Sequence, residues 1–353
     1  MLNFGLLGCG RIAPKHADAL SCNQIPEARL AAVCDVQEDR ARAFSEKYRV
    51  PYFTNLEAMM NEMQHKLDVV NVLTPSGLHA RDTIKIASFG KHVLVEKPMA
   101  LTLDDADAMI EACDRAKVKL FVMKQNRYNL PVKKLRQAVE SGRFGKMVMG
   151  TVRVRWCRRQ EYYDQDAWRG KWAQDGGVLA NQASHHVDLL EWMMGNVESV
   201  FAKSATRLVN IEVEDTAVAV LKFTSGALGV IEATTATRPR DLEGSISILG
   251  ENGSVEIGGF ALNEMKVWNF SSPQPDDEDA LTKYRQNPPS VYGFGHQEYL
   301  AHVVDCIHNE KAALVAGLEG RKSLELISAI YESIETGKEV VLRFRPQRCR
   351  LGI

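Results

Sequence analysis

Cysteine is sparse and unpaired in this sequence, with seven scattered along 353 residues and no CxxC pair. That pattern argues against a disulfide framework or a cysteine-ligated structural zinc and predicts reduced thiols. An excess of one charge sign is also missing, since the formal balance is -1. No electrostatic case therefore exists for wholesale binding of nucleic acid or of a membrane surface. Long apolar runs are absent too, none approaching the roughly 18 residues that a membrane helix needs. The opening MLNFGLLGCG already reads as a strand and its turn, leaving no room for a signal peptide, so the expected location is cytoplasmic. What is present, 45% hydrophobic and 25% charged residues, describes a soluble globular protein long enough for two domains.

From residue 1 to about 125, apolar strands near 2–7, 29–34, 68–73, 92–95 and 119–123 alternate with amphipathic helices near 38–48, 77–89 and 102–117. Such alternation predicts crossover units on a parallel sheet, an α/β domain spanning 1–125. After about residue 145 the rhythm becomes period-2, in MVMGTVRVRWCR and again near 197–206, 213–223, 227–236, 244–250 and 253–257. This predicts an α/β domain over 126–353 with a large, mostly antiparallel open sheet. Helices are expected near 183–194, 293–309 and 320–336, and the Pro-, Asp- and Ser-rich stretch 271–290 reads as a loop, mobile or functional at that length. An open sheet with an apolar outer face predicts a homodimer or homotetramer.

The segment FGLLGCGRIA, residues 4–13, is a strand, a glycine turn and a helix start. Gly8 allows the turn, Gly10 lets backbone approach a pyrophosphate, Arg11 and Ile12 lead into the helix, and the small Ala13 permits close helix–strand packing. Asp35 ends the second strand, where a carboxylate accepts both ribose hydroxyls of NAD and repels the 2′-phosphate of NADP. The alternative for Asp35 is a helix cap. LDVVNVLTPSGLHA puts Thr74, Pro75 and His79 after a third strand, and KHVLVEKPMA ends a fourth in Glu96, Lys97 and Pro98. These turns, with Gln125 after the last strand, form the expected NAD site: Gly8, Gly10, Arg11, Ile12, Asp35, Thr74, Pro75, His79, Glu96, Lys97 and Gln125. No metal is expected.

In DGGVLANQASHHVDLLEWMMG, residues 175–195, two glycines let backbone come close to a ligand, and Asn181, His185 and Asp188 follow at helical spacing. Oxidising a secondary alcohol with NAD needs a base for the hydroxyl proton, and a neutral imidazole suits that near pH 7. His185 as base, with Lys97 orienting the hydroxyl, is a sufficient catalytic pair; the alternative for His185 is a satisfied core side chain. His186 reads as structural. The stretch 152–172 interleaves Arg153, Arg155, Arg158, Arg159, Arg169 and Lys171 with Trp156, Tyr162, Tyr163, Trp168 and Trp172. Arginine forks and aromatic faces suit an anionic ring substrate, while a solvated face or subunit contact is the alternative for Arg153 and Arg155. KQNRYN adds Asn126, Arg127 and Tyr128. The expected substrate set is therefore Lys97, Asn126, Arg127, Tyr128, Arg155, Tyr163, Trp168, Arg169, Asn181 and His185.

GCGRIA, TPSGLHA, EKP and GGVLANQASHH together resemble the glucose-fructose oxidoreductase, inositol dehydrogenase and rhizopine catabolism (Gfo/Idh/MocA) family over essentially the whole chain. The resemblance implies that 1–125 is a Rossmann domain for NAD, that 126–353 is an α/β substrate domain with a large open sheet, and that hydride passes to or from a sugar-like ring, with the family's catalytic lysine at Lys97 and its histidine at His185. Many members carry Asp where this chain has Asn181, which narrows the ionic chemistry to Lys97 and His185. KQNRYN, WRGKW, NQASHH and NPPSVYGFGH resemble one branch, the UDP-N-acetylglucosaminuronate 3-dehydrogenases of lipopolysaccharide and other surface polysaccharide biosynthesis. Membership would imply oxidation at carbon 3 of a nucleotide-sugar acid to a 3-keto sugar. Some members of the branch reoxidise NADH in place with 2-oxoglutarate and others release it. The family alternatives are another sugar or inositol as substrate, or a non-catalytic sugar or dinucleotide sensor.

Overall fold

A computed structural model describes residues 1–21, 24–285, 293, 295–342 and 349–353. Most of NPPSVYGFGH therefore lies outside the described residues. The chain packs as two compact units, Met1–Lys124 with His296–Arg321, and Gln125–Gly295 with Lys322–Ile353.

In the first unit, strands β1 (Leu2–Leu7), β2 (Ala28–Cys34), β3 (Tyr52–Phe53), β4 (Val69–Val72), β5 (His92–Val95) and β6 (Leu120–Val122) form a parallel sheet in the order β3-β2-β1-β4-β5-β6. Helices α1 (Ala13–Ser21), α2 (Glu38–Tyr48), α3 (Leu56–Met63), α4 (His79–Ser88) and α5 (Leu103–Arg115) make the crossovers. Central strands read as unbroken apolar runs because both faces are covered: Phe4, Leu6, Val70, Val72, Val93 and Val95 are all fully buried. Strand order reverses between β1 and β4, and ligands of such sheets bind beyond the carboxyl ends at that switch point.

A single boundary at residue 125 needs correction, because 296–321 return to the first unit. Helix α10 (Gly295–His308) brings Tyr299, whose hydroxyl donates to Val122 O at 2.6 Å, and Val122 N donates to Val315 O at 3.1 Å. Arg321 then pairs with Asp107, Nε to Oδ1 at 2.6 Å. An edge strand offers unpaired backbone groups, and this segment meets those of β6.

The second unit opens with α6 (Leu130–Glu140), β7 (Met147–Arg155) and α7 (Gln160–Asp164), followed by α8 (Ser184–Met194). β8 (Val197–Ala205), β9 (Thr216–Phe223), β10 (Leu228–Thr234), β11 (Glu243–Gly250), β12 (Gly253–Gly258), β13 (Glu264–Phe270) and β14 (Val340–Val341) complete an eight-stranded sheet, ordered β13-β12-β11-β7-β10-β9-β8-β14. All its pairs are antiparallel except β7 with β10. One face is buried under α8: a Cβ on Gly150 would stand 2.7 Å from Leu190 Cδ1, so only glycine lets the helix approach this closely. The other face shows Phe201, Val218, Val220, Leu228 and Leu249 to solvent.

The stretch after β13 is strapped down as far as it is described. Lys134 pairs with Asp276, and Arg143 holds Asp277 (Nη2 to Oδ2, 2.6 Å) while Trp268 Nε1 donates to Asp277 Oδ1 at 2.6 Å. It carries a short helix, α9 (Ala280–Lys283). The long helix α11 (Gly317–Thr336) precedes β14. Among the described residues no helix is long and apolar enough to cross a membrane.

Candidate functional site

In the first unit the glycine turn sits between β1 and α1. Gly8 has φ +104°, and a Cβ there would lie 2.7 Å from Leu73 O, so the crossing of two backbones demands glycine. Gly10 is different: a Cβ there would meet nothing within 4 Å. Protein packing does not require a bare Gly10; an approaching pyrophosphate does, and the first turn of α1 carries no acidic residue to repel it. Arg11 is exposed and Ile12 half-buried beside this turn. Asp35 is fixed at the end of β2 by Cys9 N on Oδ2 and Gln37 N on Oδ1, both at 2.8 Å. Each carboxylate oxygen keeps further acceptor capacity for ribose hydroxyls. These residues fit NAD.

The next two turns are braced from within. Thr74 Oγ1 donates to Asp82 Oδ2 at 2.8 Å, and Pro75 is half-buried beside it. His79 is buried between two carbonyl oxygens, Thr74 O at Nε2 and Pro98 O at Nδ1, each at 2.8 Å. A neutral ring donates to one of these carbonyls while the other nitrogen faces the second, so both ring edges meet protein and His79 ties the turn after β4 to the turn after β5; the expectation of a cofactor contact from its ring is corrected. Burial lowers the His79 pKa, and the two carbonyls oppose that.

Glu96 also turns inward. His16 Nε2 stands 2.9 Å from Glu96 Oε1, His296 Nε2 stands 3.7 Å from it, and Lys97 N donates to Oε2 at 3.1 Å. Burial would raise the Glu96 carboxyl, but the hydrogen bond with His16 and the nearby His296 imidazole outweigh it and hold it well below the usual carboxylate range. Asn71 Nδ2 lies 3.0 Å from His16 Nδ1, so both ring nitrogens of His16 face protein polar groups. The ligand atoms of His16, Glu96 and His296 lie within 4.8 Å of one another. Glu96 therefore fixes the turn from which half-buried Lys97 emerges and does not face a cofactor.

In the second unit, a 3₁₀ turn at Gln125–Tyr128 grips α8. Gln125 Nε2 lies 2.9 Å from His185 Nε2, so the expected cofactor residue Gln125 meets the expected base. Arg127, also buried, makes a two-pronged pair with Asp188, both contacts 2.8 Å, and lies over Trp192. Its guanidinium holds α8 in place, which corrects its assignment to substrate. Asn126 is buried and Tyr128 half-buried in the same turn.

Arg155 is likewise corrected. Alternation along β7 puts Val152 and Val154 on the buried face and Arg155 on the other, where it pairs with Glu232 at 2.6 Å and Glu243 at 2.9 Å. Tyr163 is buried with its hydroxyl 3.1 Å from Thr235 Oγ1, and burial pushes its pKa up to about 12, so it is a core residue. Arg169 is buried as well: it lies 4.5 Å from the ring centroids of both Tyr162 and Trp168, Nη1 donates to Tyr162 Oη at 2.7 Å, and Nε pairs with Asp166 Oδ2 at 3.1 Å.

The glycine-histidine segment is not one α-helix. Val178–Gln182 form a π-turn, closed by Ala183 N on Val178 O at 2.7 Å, before α8 begins. Asn181 lies in that turn and donates its side-chain amide to Asp175, so the simple four-residue spacing to His185 does not set its direction. Nor do Gly176 and Gly177 make room for a ligand: a Cβ on Gly177 would stand 2.1 Å from Glu214 Oε2, and one on Gly176 would stand 2.6 Å from Ala180 Cβ. His186 is structural, buried against Trp156, its pKa pushed down to about 3 by burial. Glu214 and Tyr331, like His16 and His296, went unnoticed in the sequence. Glu214 opens the alternating run of β9 and Tyr331 sits in an amphipathic helix, so neither position carries a local signal.

The GFO_IDH_MocA oxidoreductase family, NAD-binding Rossmann fold, matches residues 2–124, and its C-terminal α/β domain matches residues 136–342. The myo-inositol 2-dehydrogenase of Thermotoga maritima is 31% identical over 97% of this chain and 98% of its own. The crystal structure of the WlbA dehydrogenase of Bordetella pertussis in complex with NADH and UDP-GlcNAcA superposes with a TM-score of 0.91 at 44% identity, covering 97% of this chain and 98% of that one. The Chromobacterium violaceum WlbA dehydrogenase, with the same two ligands, gives 0.90 at 44% identity over 97% and 96%. Glycine turn, strand order, NAD fit and both domain matches agree: the chain belongs to the Gfo/Idh/MocA family of NAD-dependent sugar and inositol dehydrogenases.

Proposed function

We propose that the protein oxidises the 3-hydroxyl of UDP-N-acetylglucosaminuronic acid to the 3-keto sugar, with NAD as acceptor, in the biosynthesis of a surface polysaccharide sugar. The observation that carries this is the 44% identity, over 97% of the chain, to two dehydrogenase structures holding NADH and UDP-GlcNAcA. Bound NAD supplies the hydride acceptor. His185 takes the hydroxyl proton as the hydride leaves, and Lys97 orients the hydroxyl; an imidazole near neutrality suits general-base work. Asn181 contributes a neutral hydrogen bond. Trp168, with Asn126 and Tyr128, supplies a ring face and donors for an anionic, ring-bearing substrate, while Arg169 braces that ring from its pair with Asp166. Arg127, Arg155 and Tyr163 have no part in this reading, because their polar groups serve Asp188, Glu232 with Glu243, and Thr235.

The second reading is a dehydrogenase of a free sugar or inositol, supported by the 31% identity to a myo-inositol 2-dehydrogenase. Incubating the protein with NAD and UDP-N-acetylglucosaminuronate, with and without 2-oxoglutarate, and in parallel with myo-inositol, separates the two. A keto sugar nucleotide is expected by mass spectrometry. No turnover of the sugar nucleotide in either condition rejects the first reading.

A further inference from the structure

We propose that Glu214 and Tyr331 are positioning residues for His185: together they cap the helical stretch that carries it and so set the direction of its ring. The inference rests on the reading of His185 as the catalytic base.

The stretch from Val178 to Met194 starts at Gly177, which has no side chain with which to cap the first amides. A helix start leaves backbone donors without partners, and burial makes each of them costly. One residue, 35 positions away in sequence, meets two of them. Val178 N donates to the backbone oxygen of Glu214 at 3.0 Å, and Leu179 N donates to its Oε1 at 3.0 Å. The Tyr331 hydroxyl donates to that same Oε1 at 2.8 Å and receives Gly177 N at 3.3 Å. Glu214 and Tyr331 are both buried, and Asp175 beside them takes Gly170 N at 2.9 Å and the Asn181 amide. A Cβ at position 177 would meet the Glu214 carboxyl and push it off the cap.

The cap matters for direction because of the π-turn. Its wider i to i+5 closure inserts one residue into the helical register ahead of α8. A start displaced by one residue would rotate every later side chain by about 100°, one residue's share of a turn. His185, seven residues after Val178, would then leave Gln125. Glu214 at the entrance to β9 and Tyr331 on α11 fix that start from two other elements.

The test uses the full-length protein with Tyr331→Phe, Glu214→Gln and Glu214→Leu. Tyr331→Phe is expected to lower kcat on UDP-N-acetylglucosaminuronate about fivefold or more, with KM for NAD within twofold. Glu214→Gln keeps an acceptor oxygen and should stay within threefold of wild type, whereas Glu214→Leu should lose at least tenfold. Hydrogen exchange followed by mass spectrometry should show faster exchange of the amides of 178–186 in Tyr331→Phe, with 1–124 unchanged. Wild-type kcat in both Tyr331→Phe and Glu214→Leu, or unaltered exchange at 178–186, overturns the proposal. If the wild type turns over no sugar nucleotide, it is the function above that fails, and the exchange comparison still decides the cap.

Discussion

One proton must leave the reacting hydroxyl as its carbon gives up hydride, and a side chain that performs this transfer contributes about 10²–10⁴ in rate. Lys97→Ala and His185→Asn are each expected to lower kcat at least about tenfold while leaving NADH binding, followed by its fluorescence, near wild type. Near-normal rates in both variants would remove Lys97 and His185 from the chemistry. Lys97 was legible because a strand ending in Glu, Lys and Pro is an abrupt stop with a placed cation. The direction of the arginines was not legible. Arg127 and Arg155 read as anion ligands in a linear sequence, but their carboxylate partners stand 61 residues away in Asp188 and 77 residues away in Glu232. Long-range pairing of this kind leaves no local trace.

At the scale of elements, the helical stretch carrying His185 is buried on nearly every side, and its cap contains a carboxyl with unusual titration. Burial pushes the Glu214 pKa up to about 7, against 4.5 for an exposed glutamate. Between those values the folded chain holds a proton that the unfolded chain has released. The stabilisation is complete below about pH 4.5 and is lost as the pH rises through 7. Asp175, which faces the same carboxyl, reinforces the shift, and Tyr331 and the Leu179 amide oppose it. Wild-type Tm is therefore expected to fall relative to Glu214→Gln between pH 5 and pH 8, measured by calorimetry. A constant difference across that range would mean that Glu214 does not titrate there. Glu96 acts in the opposite sense, stabilising above the ordinary glutamate range and less so in acid, and cancels in this comparison. Helix and strand periods revealed most elements, since covered faces leave apolar stripes. They did not reveal the two-residue β3 or the π-turn, whose lengths are too short for any period to register.

Over the whole molecule, the second sheet leaves a patch whose partner is to be sought in a second copy of the chain. Phe201, Val220 and Val230 lie in one row across β8, β9 and β10, and Val220 is 51% exposed. Contiguous exposed apolar surface of this kind marks association. The wild type is expected to elute as a dimer or tetramer in size-exclusion chromatography with light scattering, and the double variant Val218→Asp, Val220→Asp as a smaller species with the same circular dichroism. A monomeric wild type would assign the patch some other role. The α/β class and the two kinds of sheet were legible from the change in rhythm near residue 145. The path of 296–321 was not, because an amphipathic helix shows which face it buries and not which sheet it buries it against.

That returning segment orders events during synthesis. β6 is complete when residue 122 leaves the ribosome, but the carbonyl of Val122 finds Tyr299 only 177 residues further on, and its amide finds Val315 later still. Throughout that interval residues 125–295 of the second unit are being translated between two parts of an unfinished first one. The nascent chain must therefore keep an open strand edge apart from its neighbours on the same message until residues 299 to 315 have been made.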